Sequence, residues 1–282
     1  MFNKQKNILV LEIDYKFIEQ KKLKEYNFIY KNSSDKKVAT NFDIIIVTKQ
    51  LKKEDIKTSR KVITINEFLE SKLQKLYLDD EIKIKSYSKF EYLVKRVVDF
   101  SVAIPLIILT LPIMLHSIYR IKKESPDGPI IFKQKRVGKD GKEFVCYKFR
   151  SMRTDINYFN PYTQDNDPRI FKWGEFMRKS RVDELPQLFN VLKGQMHIIG
   201  PRAEWVELVK EYEKQIPNYH LRHVVAPGIT GWAQVNYPYG ANIEDTKQKL
   251  MYDLYYIKNW SFGLELKTIF KTIAVVIGRR GV

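Results

Sequence analysis

The chain has 282 residues, of which 44% are hydrophobic and 13% aromatic. This composition can bury a sizeable core and excludes an intrinsically disordered protein. Lysine and arginine number 50 against 33 acidic residues, for a formal net charge of +17, which favours an anionic partner: nucleic acid, anionic lipid or a phosphorylated substrate. The single cysteine, Cys146, excludes an internal disulfide and a cysteine-built zinc site, and it fits a reducing compartment.

Residues 1–85 alternate short apolar runs with helical patterns, which predicts a small α/β domain. Strands are expected at 7–13, 42–48 and 62–65, helices at 15–26 and 67–78, and a charged linker at 79–89. No glycine precedes Gly128, so a G-x-G-x-x-G nucleotide fingerprint is excluded in this region. A docking or regulatory role is therefore favoured over a nucleotide site.

Residues 100–119, FSVAIPLIILTLPIMLHSIY, contain no charged side chain. At about 1.5 Å per residue, a helix of this length can cross a hydrocarbon core of about 30 Å. Three interpretations are open: a buried helix of a soluble protein, a straight membrane span, or a re-entrant helix that enters one leaflet, breaks near a proline and returns on the same side. Pro105 and Pro112 bend a helix, and basic residues flank both ends, which is typical of cytoplasmic flanks. These features favour the re-entrant helix.

The densest chemical signal is RKSRVDELPQ at 178–187, where two adjacent carboxylates follow several cations. Neighbouring side chains on a helical turn diverge by about 100°, so Asp183 and Glu184 are expected to have different roles. One can be a nucleophile or a metal ligand while the other holds a neighbour. The alternative is an acidic first turn that only complements a helix dipole.

Two further patterns are weaker when taken alone. Lys148 and Arg150 would share one face of a strand, where they could clamp a diphosphate or simply face solvent. The turns at 200–202 and 227–231 contain glycine, and their backbone amides could bind phosphate, although plain turns have the same composition.

Together and in this order, the motifs from about residue 90 onward resemble the bacterial sugar transferases, the monotopic phosphoglycosyl transferases. The matching segments are KRVVD at 95–99, GPIIFKQKRVG at 128–138, KFRSM at 148–152, DPR at 167–169, DELPQLFNVLKG at 183–194, GPR at 200–202, PGITGWAQVN at 227–236 and DLYYI at 253–257. The resemblance implies transfer of a sugar 1-phosphate from a UDP-sugar to undecaprenyl or another polyprenyl phosphate, at the cytoplasmic face of the bacterial inner membrane.

The resemblance also implies roles for single residues. Asp183 would attack the β-phosphorus, form a covalent aspartyl-phosphosugar and contact Mg²⁺, with Glu184 in support. The implied substrate-binding residues are Lys148, Arg150, Arg136, Arg178, Arg202, Gln234 and Asn236, and the implied membrane-associated residues are Lys95, Arg96, Asp99 and Pro112.

The expected fold is α/β, with a truncated nucleotide-fold-like (Rossmann-like) α/β domain at 1–85. A re-entrant membrane helix region at 86–125 and an α+β catalytic domain at 126–282 would follow. The expected partners are the UDP-sugar donor, the polyprenyl phosphate acceptor, anionic membrane lipid and a second copy of the chain, with no nucleic acid.

The sequence departs from the family pattern at several positions. Leu111-Pro112 stands where Ser-Pro is frequent, with the Thr110 hydroxyl one residue earlier; His197 replaces a common serine, Glu265 an aspartate, and residues 237–242 differ. The changed loop at 237–242 leaves the sugar unspecified.

Two other function classes compete with an active transferase. One is a membrane-tethered binding protein of the same pathway that has lost activity, against which the intact Asp183-Glu184 pair argues. The other is a nucleic-acid-binding protein, which rests on net charge alone and lacks a recognised motif.

Overall fold

The structure, a computed structural model, describes residues 6–11, 23–31, 42–47, 61–78, 82–156, 167–238, 240 and 242–277. The chain forms two compact units, Met1–Tyr77 and Leu78–Val282. Strands and helices are mixed in both, as expected of an α/β protein.

The first unit contains a four-stranded parallel sheet of order β2-β1-β3-β4. Its elements are β1 (Lys6–Leu11), β2 (Tyr26–Lys31), β3 (Ile44–Val47), β4 (Lys61–Thr64) and helix α1 (Ile65–Leu73). Ile8 and Ile45 are fully buried in the sheet. Helix α1 begins where it does because Thr64 and Glu67 form a capping box, each side chain accepting from the other's backbone amide.

The strands predicted at 7–13, 42–48 and 62–65 are confirmed as β1, β3 and β4, and the helix predicted at 67–78 is confirmed as the shorter α1. The helix predicted at 15–26 lies mostly outside the described residues. Its last residue, Tyr26, instead begins β2, which the sequence analysis missed. Tyr26 and Phe28 both pack their rings against Phe68 of α1, a tertiary contact that local sequence does not reveal.

The second unit combines one long helix with two small sheets. Its elements are α2 (Lys89–Glu124), the antiparallel pair β5 (Ile131–Val137) and β6 (Glu143–Phe149), α3 (Lys172–Ser180), α4 (Gln187–Leu192), α5 (Val206–Gln215), the parallel pair β7 (His197–Ile199) and β8 (Gly228–Thr230), α6 (Trp232–Asn236), α7 (Ile243–Lys258) and α8 (Phe262–Ile277). Within the described residues of this unit, 3₁₀ turns lie at Lys139–Gly141, Val182–Glu184 and Tyr219–Val224.

Helix α2 is long and apolar enough to cross a membrane: its most apolar 18-residue window has a mean hydropathy of 2.2, and 17% of that window is buried. The core helix of a soluble protein is mostly buried, so this low burial is consistent with a membrane-associated helix. The helix continues through Pro105 and Pro112 without a break in its secondary structure, so the expected break near a proline is wrong. The Thr110 hydroxyl donates to the Leu106 carbonyl at 2.6 Å, rather than to the carbonyl four residues before Pro112, which proline cannot pair.

The N-terminal end of α2 is attached to the rest of the second unit by polar contacts. Lys95 Nζ donates to the Ile199 carbonyl at 2.9 Å, and Arg96 donates to the Val191 carbonyl at 2.8 Å. Asp99 accepts from a backbone amide of β7 at 2.8 Å. These bonds join the start of the helix to α4 and β7.

The C-terminal end of α2 is attached to the same unit. The Trp173 amide donates to Glu124 Oε2 at 2.8 Å, and the Trp173 indole donates to Ser117 at 3.2 Å. Met114 and Ile121 belong to an apolar cluster that includes buried residues of α3 and β6. Both ends of the apolar helix therefore contact one compact body, while its middle is exposed.

Candidate active site

The site is built around the 3₁₀ turn Val182–Glu184, which follows α3 directly. Arg181 joins the two with a left-handed backbone, φ 60°, a conformation that side chains other than glycine rarely adopt. The flanking Val182 and Leu185 pack against the apolar cluster under α3. This packing holds the turn that carries the two carboxylates, Asp183 and Glu184.

Glu184 is held by a lysine from the β5-β6 hairpin. Lys148 Nζ donates to Glu184 Oε1 at 2.8 Å, and both side chains are largely buried. Asn190 joins α4 to β6, because its side chain donates to the Val145 carbonyl at 2.7 Å and accepts from the Tyr147 amide at 3.1 Å. Glu184 lies three residues before α4, so the pairing of α4 with β6 helps to bring the two side chains together.

The two carboxylates have opposite protonation behaviour. Burial raises the pKa of Asp183 to about 6, and the charge of Glu184 adds to this effect, against the opposing charges of Lys148 and Arg178. Burial also acts to raise the pKa of Glu184, but the charges of Lys148 and Arg202 outweigh it and lower that pKa to about 2. Glu184 is thus a permanent anion near neutral pH, whereas Asp183 titrates.

Asp183 is buried, with 8% of its surface exposed. Its Oδ1 atom has no hydrogen-bond donor within the described parts of the chain. Buried polar atoms are nearly always paired, so this oxygen marks a place where a substrate atom or a cation fits.

Magnesium fits this donor only in part. No group of three or more His, Cys, Asp and Glu side chains that could hold a metal occurs among the described residues. Mg²⁺ commonly binds through one or two carboxylates together with substrate phosphates and water. A single free Asp183 oxygen is compatible with that second arrangement and not with an all-protein metal cage.

Several arginines supply positive charge to this turn. Arg178 and Arg181, at the end of α3, both act to lower the pKa of Asp183, and Arg202 acts on Glu184. Arg178 and Arg202 are among the residues predicted to bind substrate, whereas Arg181 was not. The sequence points to a role for Arg181 only through its position two residues before Asp183, because no local sequence pattern predicts its left-handed backbone.

A buried carboxylate with one free oxygen, set beside a lysine-paired glutamate and within reach of several arginines, is suited to phosphoryl chemistry. The family model described as Bacterial sugar transferase matches residues 90–279. The chain belongs to the bacterial sugar transferase family. The resemblance deduced from the motifs is therefore confirmed.

Named relatives in this family act on nucleotide sugars. Over 185 residues the chain is 46% identical to the UDP-N-acetylgalactosamine-undecaprenyl-phosphate N-acetylgalactosaminephosphotransferase of Aeromonas hydrophila, covering 65% of this chain and 44% of that protein. Over 173 residues it is 45% identical to the UDP-glucose:undecaprenyl-phosphate glucose-1-phosphate transferase of Xanthomonas campestris pv. campestris, covering 60% and 36%.

A shorter relative matches over nearly its whole length. The chain is 38% identical over 196 residues to the exopolysaccharide production protein PSS of Rhizobium leguminosarum bv. phaseoli, covering 67% of this chain and 98% of that protein. The chain thus spans less than half the length of the two longer relatives and almost all of this one. In each comparison about two thirds of the chain or less is matched.

In this sugar transferase family member, the two predicted amide ligands have different surroundings. Gln234 donates to the Ile229 carbonyl at 3.3 Å, its buried Oε1 atom has no donor among the described residues, and its substrate-binding role stays a prediction. Asn236 donates to the Trp232 carbonyl at 2.8 Å and accepts from Lys271 of α8. Asn236 therefore joins α6 to α8, and its substrate-binding role stays a prediction.

The contacts of Arg150 argue against its predicted role in substrate binding. Its guanidinium donates to the hydroxyl and carbonyl of Ser125 and to the carbonyls of Gly128, Pro129 and Met152. These bonds use all five of its N–H donors. Although Lys148 and Arg150 are two residues apart, only Lys148 reaches Glu184; Arg150 follows the end of β6 and secures the chain after α2.

Arg136 is also buried and binds the protein backbone. It donates to the Ala203 carbonyl and to Gln134, and its Nε atom has no acceptor within the described residues. Burial lowers the pKa of Arg136, and the nearby charge of Arg202 lowers it further. Arg136 therefore lies close to Arg202, and its direct contact with substrate stays a prediction.

The predicted membrane residues at the start of α2 contact two of the departures from the family pattern. Lys95 forms a buried ion pair with Glu265, and His197 Nδ1 lies 2.7 Å from Asp99 Oδ2. Burial lowers the pKa of His197, against the opposing effect of its hydrogen bond to the Asp99 carboxylate. The altered residues thus act in the attachment of α2.

Proposed function

We propose that this protein transfers a sugar 1-phosphate from a UDP-sugar to undecaprenyl phosphate, and so begins assembly of a bacterial surface glycan. The observation that carries the proposal is the buried Asp183 carboxylate, whose Oδ1 atom has no donor within the described residues, beside the Lys148–Glu184 ion pair. The names of the relatives support this donor and acceptor.

In the first step, an Asp183 oxygen attacks the β-phosphorus of the UDP-sugar. An O–P bond forms, the bond from that phosphorus to the bridging oxygen breaks, and UMP leaves with the electron pair. Attack by a carboxylate on a diphosphate opposes two anions, so nearby cations are needed to offset the repulsion. Lys148, Arg178, Arg181 and Arg202 supply this charge, and Glu184 keeps Lys148 in place.

In the second step, a phosphate oxygen of undecaprenyl phosphate attacks the same phosphorus. The aspartyl O–P bond breaks, which regenerates the Asp183 carboxylate and yields the lipid diphosphosugar. The two steps share one site, because donor and acceptor each present a phosphate to the same carboxylate. A Mg²⁺ ion held by Asp183 and substrate phosphates would neutralise diphosphate charge.

The membrane placement that we propose is a re-entrant α2 at the cytoplasmic face of the inner membrane. The support is that Lys95 and Glu124, near opposite ends of the helix, are bonded to one compact unit. Exposed Lys122 and Lys123 at its C-terminal end suit anionic lipid headgroups. We further propose that the parallel sheet of the first unit is a Rossmann-like docking domain through which two copies associate.

The function is tested by incubating the full chain in detergent with Mg²⁺ and a panel of UDP-sugars, beginning with UDP-N-acetylgalactosamine and UDP-glucose. With undecaprenyl phosphate present, UMP release should be catalytic for at least one sugar. Without the acceptor, release should stop near one UMP per enzyme, because the phosphosugar stays on the protein. No UMP release from any sugar in either condition would refute the proposal and favour an inactive binding protein.

A further inference from the structure

The backbone around Arg202 is held by cations from separate parts of the fold. Arg222 Nη2 donates to the Arg202 carbonyl at 2.9 Å, and Arg136 Nη1 donates to the next carbonyl, that of Ala203. Arg136 lies in β5 and Arg222 in the 3₁₀ turn Tyr219–Val224. Two consecutive carbonyls are thus bound by guanidinium groups from two different elements.

Both arginines are deeply buried, with 6% of Arg136 and 4% of Arg222 exposed. Arg222 is itself fixed by Asp253 at 2.8 Å and by the Tyr219 hydroxyl at 2.7 Å. Burying a cation costs free energy unless it is paired, and a backbone amide could satisfy a carbonyl without that cost. Two charged donors on consecutive carbonyls therefore indicate a role beyond satisfying the hydrogen bonds of the backbone.

The expected role of Arg202 in the site supplies that reason. The chain that follows Arg202 lies beside β5, through the bridge between Arg136 and Trp205, and β5 pairs with β6, which carries the Lys148 that binds Glu184. Arg202 thus lies in the part of the fold that holds the carboxylate pair, and its charge also acts to lower the pKa of Glu184. The Gly228 amide donates to the Pro201 carbonyl at 2.8 Å, which holds the preceding residue. The carbonyls of residues 201–203 are therefore all bonded, and the backbone that carries the Arg202 side chain is fixed from both sides.

We propose that Arg136 and Arg222 are positioning residues, which hold the Arg202 backbone from two sides and so direct its guanidinium at the substrate diphosphate. The inference rests on the proposed function, because it assumes that Arg202 binds a diphosphate. In this proposal Arg136 acts on the substrate through Arg202, and not by the direct contact that the family resemblance implies.

The test is a double-mutant cycle on the full chain, with UMP release and UDP affinity in the presence of Mg²⁺ as separate readouts. Arg136→Lys and Arg222→Lys are each made in the wild-type and in the Arg202→Ala background. Misplacing a binding group by about 1 Å can cost about 100-fold in rate, so each single variant should lose about 10- to 100-fold in kcat/KM. In the Arg202→Ala background, the same substitutions should change kcat/KM and the Kd for UDP by less than about twofold.

Arg150→Lys is the matched control, since Arg150 is equally buried and also donates to backbone carbonyls, but not at residues 201–203. Any loss that it causes should be the same in both backgrounds. Melting temperatures distinguish variants that misfold from folded variants in which Arg202 is misplaced. If Arg136→Lys does not fold, Arg222→Lys is used for the test.

If the losses caused by Arg136→Lys and Arg222→Lys are undiminished in the Arg202→Ala background, the positioning claim is overturned. If wild-type protein releases no UMP but the UDP affinities still show the coupling, the proposed function fails and the positioning claim stands.

Discussion

Lys148 Nζ lies 2.8 Å from Glu184 Oε1, while Asp183 Oδ1, on the adjacent residue, has no donor in the described parts of the chain. One carboxylate of the pair is thus engaged in an ion pair, and one oxygen of the other has no hydrogen-bond partner among the described residues. This asymmetry supports the proposal that the two chemically similar side chains have different roles.

The activity should depend on pH through Asp183. Its pKa is raised to about 6 by burial and by Glu184, and only the carboxylate can attack phosphorus. The value of kcat/KM for UMP release should therefore fall about tenfold per pH unit below about pH 6 and level off above it, as the free-enzyme profile reports the essential base.

Substitutions that change the charge beside Asp183 should shift the acid limb of this pH profile in opposite directions. Glu184→Gln removes a neighbouring anion and should shift the limb to lower pH, whereas Lys148→Met removes a cation and should shift it to higher pH. The measurement is the pH profile of whatever activity each variant retains. Shifts of the same sign in both variants would show that another group is titrating.

Divalent metal should be required for turnover but not for folding. Among the described residues no three potential metal ligands cluster, so Mg²⁺ should bind mainly with the substrate. EDTA should stop UMP release, added Mg²⁺ should restore it, and the melting temperature without substrate should be unchanged by either. A large loss of thermal stability in EDTA would point instead to a structural metal site.

Arg150 should matter for stability more than for substrate affinity. Arg150→Lys leaves at most three donors for five existing bonds, and unsatisfied buried carbonyls cost about 1–3 kcal/mol each. We expect a lowered melting temperature in detergent, with KM for the UDP-sugar within about threefold of wild type for the folded fraction. A rise of more than tenfold in KM without loss of stability would restore Arg150 to the binding site.

Both ends of α2 should lie on the cytoplasmic side. Lys89 and Lys123 are exposed near the two ends, and Cys146 is buried and can be replaced by serine. In a Cys146→Ser background, Lys89→Cys and Lys123→Cys should each react with a membrane-impermeant maleimide only after the cytoplasmic face is opened. Labelling of Lys89→Cys in intact cells would establish a helix that crosses the membrane.

Motif chemistry predicted the carboxylate pair and its cations, and the structure brings Glu184 and Lys148 together. The predictions that met least support concern long side chains whose faces were inferred from strand alternation. Arg150 follows β6, and its guanidinium turns to Ser125 and nearby carbonyls. Strand periodicity predicts a face but not where a flexible side chain ends.

Other features depended on tertiary contacts. The strand β2 is stabilised by aromatic packing on α1, and the roles of His197 and Glu265 emerge only when α2 is placed beside β7 and α8. The left-handed Arg181, which lies between α3 and the turn that carries Asp183, has no local signature. For β2, His197 and Glu265, the deciding contacts come from residues far apart in the chain.

The central claim is that Asp183 carries the phosphosugar, and the most direct measurement is the mass of the intact protein after acid quenching with a UDP-sugar and no acceptor. Wild type should gain the mass of one sugar phosphate, mapped by peptide analysis to Asp183 and discharged by undecaprenyl phosphate. Asp183→Asn and Asp183→Ala should gain nothing, while Glu184→Gln should still be labelled, more slowly. Labelling of either Asp183 variant, or of another residue in the wild type, would contradict the account.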